Sequence, residues 1–165
     1  MNWFESPIII IDTGFCVLVL SFYKKESNTI LLYQIVANFA YTIHYFLLGA
    51  LSGAFISFIG IFRNIGFLKL KNNKLIFAII IFILYLLVTL VFYENIYSLF
   101  PIIANSTYLF LMIKASRKKL IIGGIFGSIL WMIYAICVNS YSGMITEFIL
   151  IVSNSVQLIK LKKSR

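Results

Sequence analysis

Apolar residues in this chain gather into long runs cut by short charged clusters. The first run covers roughly residues 7 to 23 and stops at Lys24, Lys25 and Glu26, and the second covers roughly 29 to 48. After the uncharged turn Gly49 to Ser52, a third run, about 52 to 68, ends at Lys69, Lys71 and Lys74. The fourth, about 75 to 93, is the most uniformly apolar and is closed by Glu94 and Asn95. A fifth, about 98 to 113, carries Pro101 in its first turn, where a missing N–H does no harm, and ends at Lys114, Arg117, Lys118 and Lys119. The sixth, about 120 to 138, and the seventh, about 142 to 159, are joined by Asn139 to Tyr141, and the chain closes on LKKSR. Each run approaches the ~20 residues that cross a bilayer as helix, so the pattern predicts seven transmembrane helices.

Two of these stretches echo each other. Writing YTIHYFLLGALSGAFISFIGIFRN (Tyr41 to Asn64) over WMIYAICVNSYSGMITEFILIVSN (Trp131 to Asn154) brings Ser52-Gly53 onto Ser142-Gly143, Phe58 onto Phe148 and Tyr41 onto Trp131. Asn64 then falls on Asn154, each well inside an apolar run, where a polar residue is costly. The match reads as an internal duplication. Polar and small residues recur at helical spacing in both copies. Gln34, Asn38, Tyr41 and Tyr45 share a face of the second run, and Gly53, Ser57, Gly60 and Asn64 share a face of the third. Gly124, Ser128, Trp131 and Tyr134 do so on the sixth, and Gly143, Glu147, Leu150, Asn154 and Gln157 on the seventh. Asp12 and Cys16 lie on the first run, Pro101, Asn105 and Tyr108 on the fifth. The fourth has only Tyr85 and Thr89, as expected of a spacer facing lipid. Small residues also let helix backbones approach, and Ser or Asn can hydrogen-bond across such contacts, so packing and a shared polar cavity are both open readings.

Composition fixes the solvent. With 62% hydrophobic residues, 12% charged and a mean hydropathy of +1.02, the chain has too little polar surface to cover a soluble globule. The net charge of +9 comes from Lys and Arg that, Arg63 excepted, sit between apolar runs or at the C-terminus, so it signals topology rather than nucleic-acid binding. The clusters follow runs one, three, five and seven, which puts those ends in the cytoplasm, the N-terminus outside and the C-terminus inside. Runs one to three and five to seven then point the same way, with run four as an inverting linker. The expected architecture is an all-α polytopic membrane protein of two parallel three-helix repeats joined by a linker helix: residues 1–70, 71–97 and 98–165. The N-terminus MNWFESP has no basic region ahead of its apolar run, and no removable signal peptide is expected.

Candidate chemistry is sparse. Cys16 and Cys137 fall inside apolar runs and suggest neither a disulfide nor a metal site. The chain lacks a nucleophile elbow, HExxH, CxxC and a phosphate-binding glycine loop, so no enzyme, cofactor, metal or nucleotide-driven pump is expected. The residues expected to meet a solute are Asn38, Asn64, Asn105 and Asn154 with the aromatics Tyr41 and Trp131. Asp12, His44 and Glu147 lie toward the outer end, where they could carry protons or bind a cation, or simply be hydrated or hydrogen-bonded near the interface. Arg63 is expected to snorkel to the cytoplasmic interface, with gating or anion steering as the second reading.

The run HYFLLGALSGAFISFIGIFRN (His44 to Asn64), PIIANSTYLF before a basic loop, and the ending WMIYAICVNSYSGMITEFILIVSN resemble the YgjV family of bacterial inner-membrane proteins over nearly the whole chain. That resemblance implies an inner-membrane location and brings no substrate with it. The three-plus-one-plus-three plan is more distantly similar to the SWEET sugar facilitators and the PnuC vitamin carriers. In the SWEET pattern, asparagines on helices three and seven and an aromatic on helix six face the sugar, and Asn64, Asn154 and Trp131 match them. The proline-glutamine motif of those facilitators is missing here, and Asn64 sits toward the cytoplasmic side, so sugar specificity does not transfer. The functional expectation is a passive or proton-linked facilitator of a small polar solute held between the halves, with lipid around it and homo-oligomers allowed. The alternative is a non-transporting membrane interaction or assembly protein whose polar stripes are only glue.

Overall fold

A computed structural model describes residues 27–114 and 116–163, and everything regular in them is helical. The helices are α1 (Ser27–Leu47), α2 (Leu51–Lys69), α3 (Lys74–Val91), α4 (Leu99–Ile113, entered through a 3-10 turn at Ile96–Ser98), α5 (Arg117–Cys137) and α6 (Tyr141–Lys163). Six segments among the described residues are long and apolar enough to cross a membrane. They correspond to the second to seventh apolar runs; the first run, with Asp12 and Cys16, lies outside the described residues.

The helix boundaries show where local chemistry overrides hydropathy. α5 starts before its apolar run, because Ser116 caps it by accepting the Lys119 N–H through its Oγ at 3.4 Å, which draws Arg117, Lys118 and Lys119 into the first turn. α6 likewise runs on through the terminal lysines to Lys163, whose positive charges suit a helix C-terminus. The turns that follow α1 and α5 are built alike. Gly49 (φ 73°) and Asn139 (φ 55°) take the left-handed conformation, and the next N–H reaches back to a carbonyl five residues earlier, Ala50 to Tyr45 and Ser140 to Ala135. Each turn thus closes a tight antiparallel hairpin, α1 on α2 and α5 on α6.

α3 bridges α2 and α4. Most of this strongly apolar helix is open to lipid, yet Ala78, Ile81, Tyr85 and Thr89 form a buried stripe. The expected spacer therefore has an inner face, and Tyr85 is fully buried there. The outward surface of the bundle is studded with exposed Leu, Ile, Val and Phe, a surface that only hydrocarbon solvates without penalty. Two interior clusters result: a large aliphatic one, and an aromatic one of Tyr41, Tyr45, Trp131 and Tyr134 near the Gly49 and Asn139 turns.

Candidate functional site

Between these clusters lies a cavity of about 90 Å³ whose wall is drawn from α1, α2, α4, α5 and α6. A single water needs only ~10–15 Å³ of such space. α1 contributes Gln34, Asn38 and Tyr41; α2, Ser57 and Arg63; α4, Asn105 and Tyr108; α5, Ser128 and Trp131; α6, Glu147. Part of the room exists because α5 presents Gly123, Gly124 and Gly127 to it, and a Cβ on Gly127 would meet nothing within 4 Å.

Arg63 does not snorkel. It is 3% exposed, and its guanidinium stays inside the bundle: Nε donates to Asn64 Oδ1 at 3.1 Å, and Nη1 donates to Asn105 Oδ1 at 2.8 Å and to the Tyr85 hydroxyl at 3.3 Å. The charge also stands 5.2 Å from the centroid of the Tyr108 ring, a cation–π distance. Asn105 is held for this task by donating its amide to the Pro101 carbonyl at 3.0 Å, while Tyr108 is fixed by Gln34 Nε2, which donates to its hydroxyl at 2.6 Å. All of these partners are neutral. A cation taken out of water with only dipoles for company is expensive, which makes the interior placement of Arg63 the main anomaly of the fold.

Glu147, 4% exposed, lines the same cavity nearer the turns. Its Oε1 accepts from the Tyr41 hydroxyl at 3.3 Å, and Ser128 lines the same cavity. Beside it stand stacked rings, Tyr41 on Trp131 at 6.4 Å and Tyr45 on Trp131 at 5.3 Å between centroids. Two polar crossings fasten this end. His44 Nε2 meets Ser140 Oγ at 2.9 Å, and the Tyr134 hydroxyl meets Ser52 Oγ at 2.9 Å while accepting the Gly53 N–H at 3.0 Å. His44, 2% exposed, is thus hydrogen-bonded, as one of its expected states had it, rather than hydrated.

Of the residues expected at a solute site, Asn38, Tyr41, Asn105 and Trp131 line the cavity, as do Glu147 and Arg63. Asn64 and Asn154 do not: both are 0% exposed and lie off its wall. Asn64 accepts from Arg63, and Asn154 leaves both amide atoms buried without a partner. Asp12 lies outside the described residues. Gln34, Ser57, Tyr108 and Ser128 were visible only as members of the stripes, and Tyr85 was read as lipid-facing. Tyr134 and Ser140 carried a signal that could have been used, since Tyr134 falls on His44 in the duplicated register and each reaches into the opposite hairpin.

The likeness to the SWEET and PnuC carriers rests on the residues alone, for no curated protein and no solved structure matches the chain. A family match does extend from residue 7 to residue 165, and its description is "Bacterial inner membrane protein". Six membrane-length helices and a lipid-compatible surface agree with that description. This chain belongs to the Imp-YgjV family of bacterial inner membrane proteins.

Proposed function

We propose that this integral inner-membrane protein is a facilitator, passive or proton-linked, of a small polar solute that binds between two halves of the bundle. The observation that carries the proposal is the cavity wall, where five helices bring Gln34, Asn38, Asn105, Ser128, Arg63 and Glu147 to one space within the bundle. Packing alone does not need six polar groups around a void, since small residues and closed contacts serve it better. On this reading Glu147 and Arg63 are the ion-handling or gating groups, and the chain is a carrier rather than an enzyme.

The finer architecture belongs to the same proposal: two parallel three-helix repeats joined by α3, with residues 7–23 as a seventh span, the N-terminus outside and the C-terminus in the cytoplasm. Support comes from the register of the duplication. Gln34, Asn38, Tyr41 and Ser57 line the cavity, and so do their counterparts Gly124, Ser128, Trp131 and Glu147. The paired left-handed turns at Gly49 and Asn139 and the reciprocal crossings of His44 and Tyr134 fall in the same register. A cavity lined by matched positions of two repeats is where parallel-repeat carriers hold their solute.

The test is thermal unfolding of the purified protein against a panel of sugars, nucleosides, vitamins and amino acids, followed by uptake of any hit into proteoliposomes. A solute at a hundred times its dissociation constant adds about 2.7 kcal/mol. A panel with no stabilising member and no flux in proteoliposomes would move the protein to the assembly reading.

A further inference from the structure

We propose that the solute is a small zwitterion, with its carboxylate on Arg63 and its ammonium on Glu147. The proposal rests on the carrier reading above and names the chemistry of its cargo. Arg63 and Glu147 are both buried and line one cavity, yet neither is the other's partner. Arg63 donates to Asn64, Tyr85 and Asn105, and Glu147 accepts from Tyr41 with Ser128 beside it. Among the described residues, neither the Arg63 guanidinium nor an ionised Glu147 has a counter-charge, and a ligand that supplies both offsets the cost of burying them.

Geometry favours one ligand doing so. The hydrogen bonds that Arg63 makes leave from Nε and Nη1, which keeps the Nη2 end of its planar fork for a carboxylate. At the other end, Glu147 shares its part of the wall with Tyr41 and Trp131, and a carboxylate beside aromatic rings is a common way to hold an ammonium group. Arg63 lies in the second half of α2 and Glu147 in the first third of α6. In the duplicated register, where Leu51 falls on Tyr141, the six-residue offset corresponds to about 9 Å of helix rise before the side chains close part of it. Such spacing suits charges separated by several bonds more than the adjacent charges of an α-amino acid. A sugar would satisfy the amides but neither charge. A simple anion or cation would satisfy one and leave the other buried alone.

The experiment uses the full-length protein in nanodiscs and reads thermal unfolding with glycine, β-alanine, γ-aminobutyrate and δ-aminovalerate. Propionate, propylammonium and glucose at the same concentration serve as controls. The expected result is stabilisation by one of the longer ω-amino acids, exceeding that by either single-charge control. Arg63→Gln and Glu147→Gln, checked for a monodisperse folded state, should each weaken that binding roughly tenfold or more. Should Arg63→Gln fail to fold, Arg63→Lys keeps the charge but not the fork and should still weaken it measurably. Stabilisation by glucose alone would overturn the zwitterion while leaving the carrier reading intact. No response to these probes, alongside a solute found in the broader panel, would do the same. Stabilisation by an ω-amino acid that survives both substitutions would place the binding elsewhere and overturn the assignment.

Discussion

Replacing Tyr134 with Phe removes one oxygen from the most connected hydroxyl in the bundle. That oxygen accepts the Gly53 N–H at 3.0 Å, pairs with Ser52 Oγ at 2.9 Å and lies 3.5 Å from the Ala50 carbonyl. Gly53 stands in the first turn of α2, whose N–H groups have no partners within the helix, and the N-cap residue Ala50 has no polar side chain to offer. The cap of α2 is therefore supplied by another helix. In α6 the equivalent Gly143 N–H is served locally, by Ser140 Oγ at 3.2 Å. The Phe ring keeps its contacts with Tyr45 and Trp131, so the loss is that of polar partners. Hydrogen bonds in membrane proteins average about 0.6 kcal/mol and reach about 1.7. Leaving a buried donor unpaired costs about 1–3 kcal/mol. With Gly53 and Ser52 both stranded, Tyr134→Phe should destabilise by about 2 kcal/mol, measured by denaturation in mixed micelles. Ala50→Ser, which copies Ser140 into the first turn, should return about 1 kcal/mol of that in the double variant. A Tyr134→Phe protein as stable as wild type, or one that Ala50→Ser does not help, would refute the idea that this phenol is the cap.

A Cβ at Gly53 would fall 2.6 Å from Tyr134 Cε1, so Gly53→Ala should cost about 1–3 kcal/mol in the same denaturation assay. Gly127→Ala, with nothing within 4 Å, should leave stability unchanged and shrink the cavity, read as weaker solute stabilisation. Single cysteines at Asn73 or Lys118 should resist impermeant thiol reagents in whole cells while one at Asn95 or Tyr141 reacts; labelling of Asn73 from outside would reverse the orientation. Asn154→Leu should hold stability or raise it, because both of its amide atoms are buried without partners; a loss above about 1 kcal/mol would show that it bonds a neighbour after all.

The helices were legible because lipid enforces long apolar runs, and the ends that slipped did so where a side chain intervened, as Ser116 does at α5. The inward faces were legible from spacing alone for Asn38, Tyr41, Asn105 and Trp131. Spacing could not say which members of a stripe border space and which border another helix. Asn64 and Asn154 sit deep on the expected faces, yet meet a guanidinium and closed packing respectively. Arg63 misled for a related reason: hydropathy measures distance to the interface along the helix, whereas its burial depends on Tyr85 and Asn105, each reached from a different helix. No local pattern joins those three residues.

On the proposed carrier reading, the duplication and the cavity together explain how a symmetric frame would hold an asymmetric ligand. Position by position, Ser57 stands where the second copy has Glu147, and Arg63 stands where it has Ser153. Each copy thus contributes one charge, of opposite sign and at a different height, and its mate in the other copy is a small hydroxyl. Had the charges arisen at matched positions, two like groups would face each other across the axis, an arrangement that low dielectric makes prohibitive. On the proposed repeats, unmatched positions six residues apart set the two charges at different heights. A difference in charge at two pairs of positions gives the proposed repeats a pocket with a positive end and a negative end, so a Glu147→Ser variant should lose that polarity while its hairpin still folds, which circular dichroism and the propionate response together would reveal.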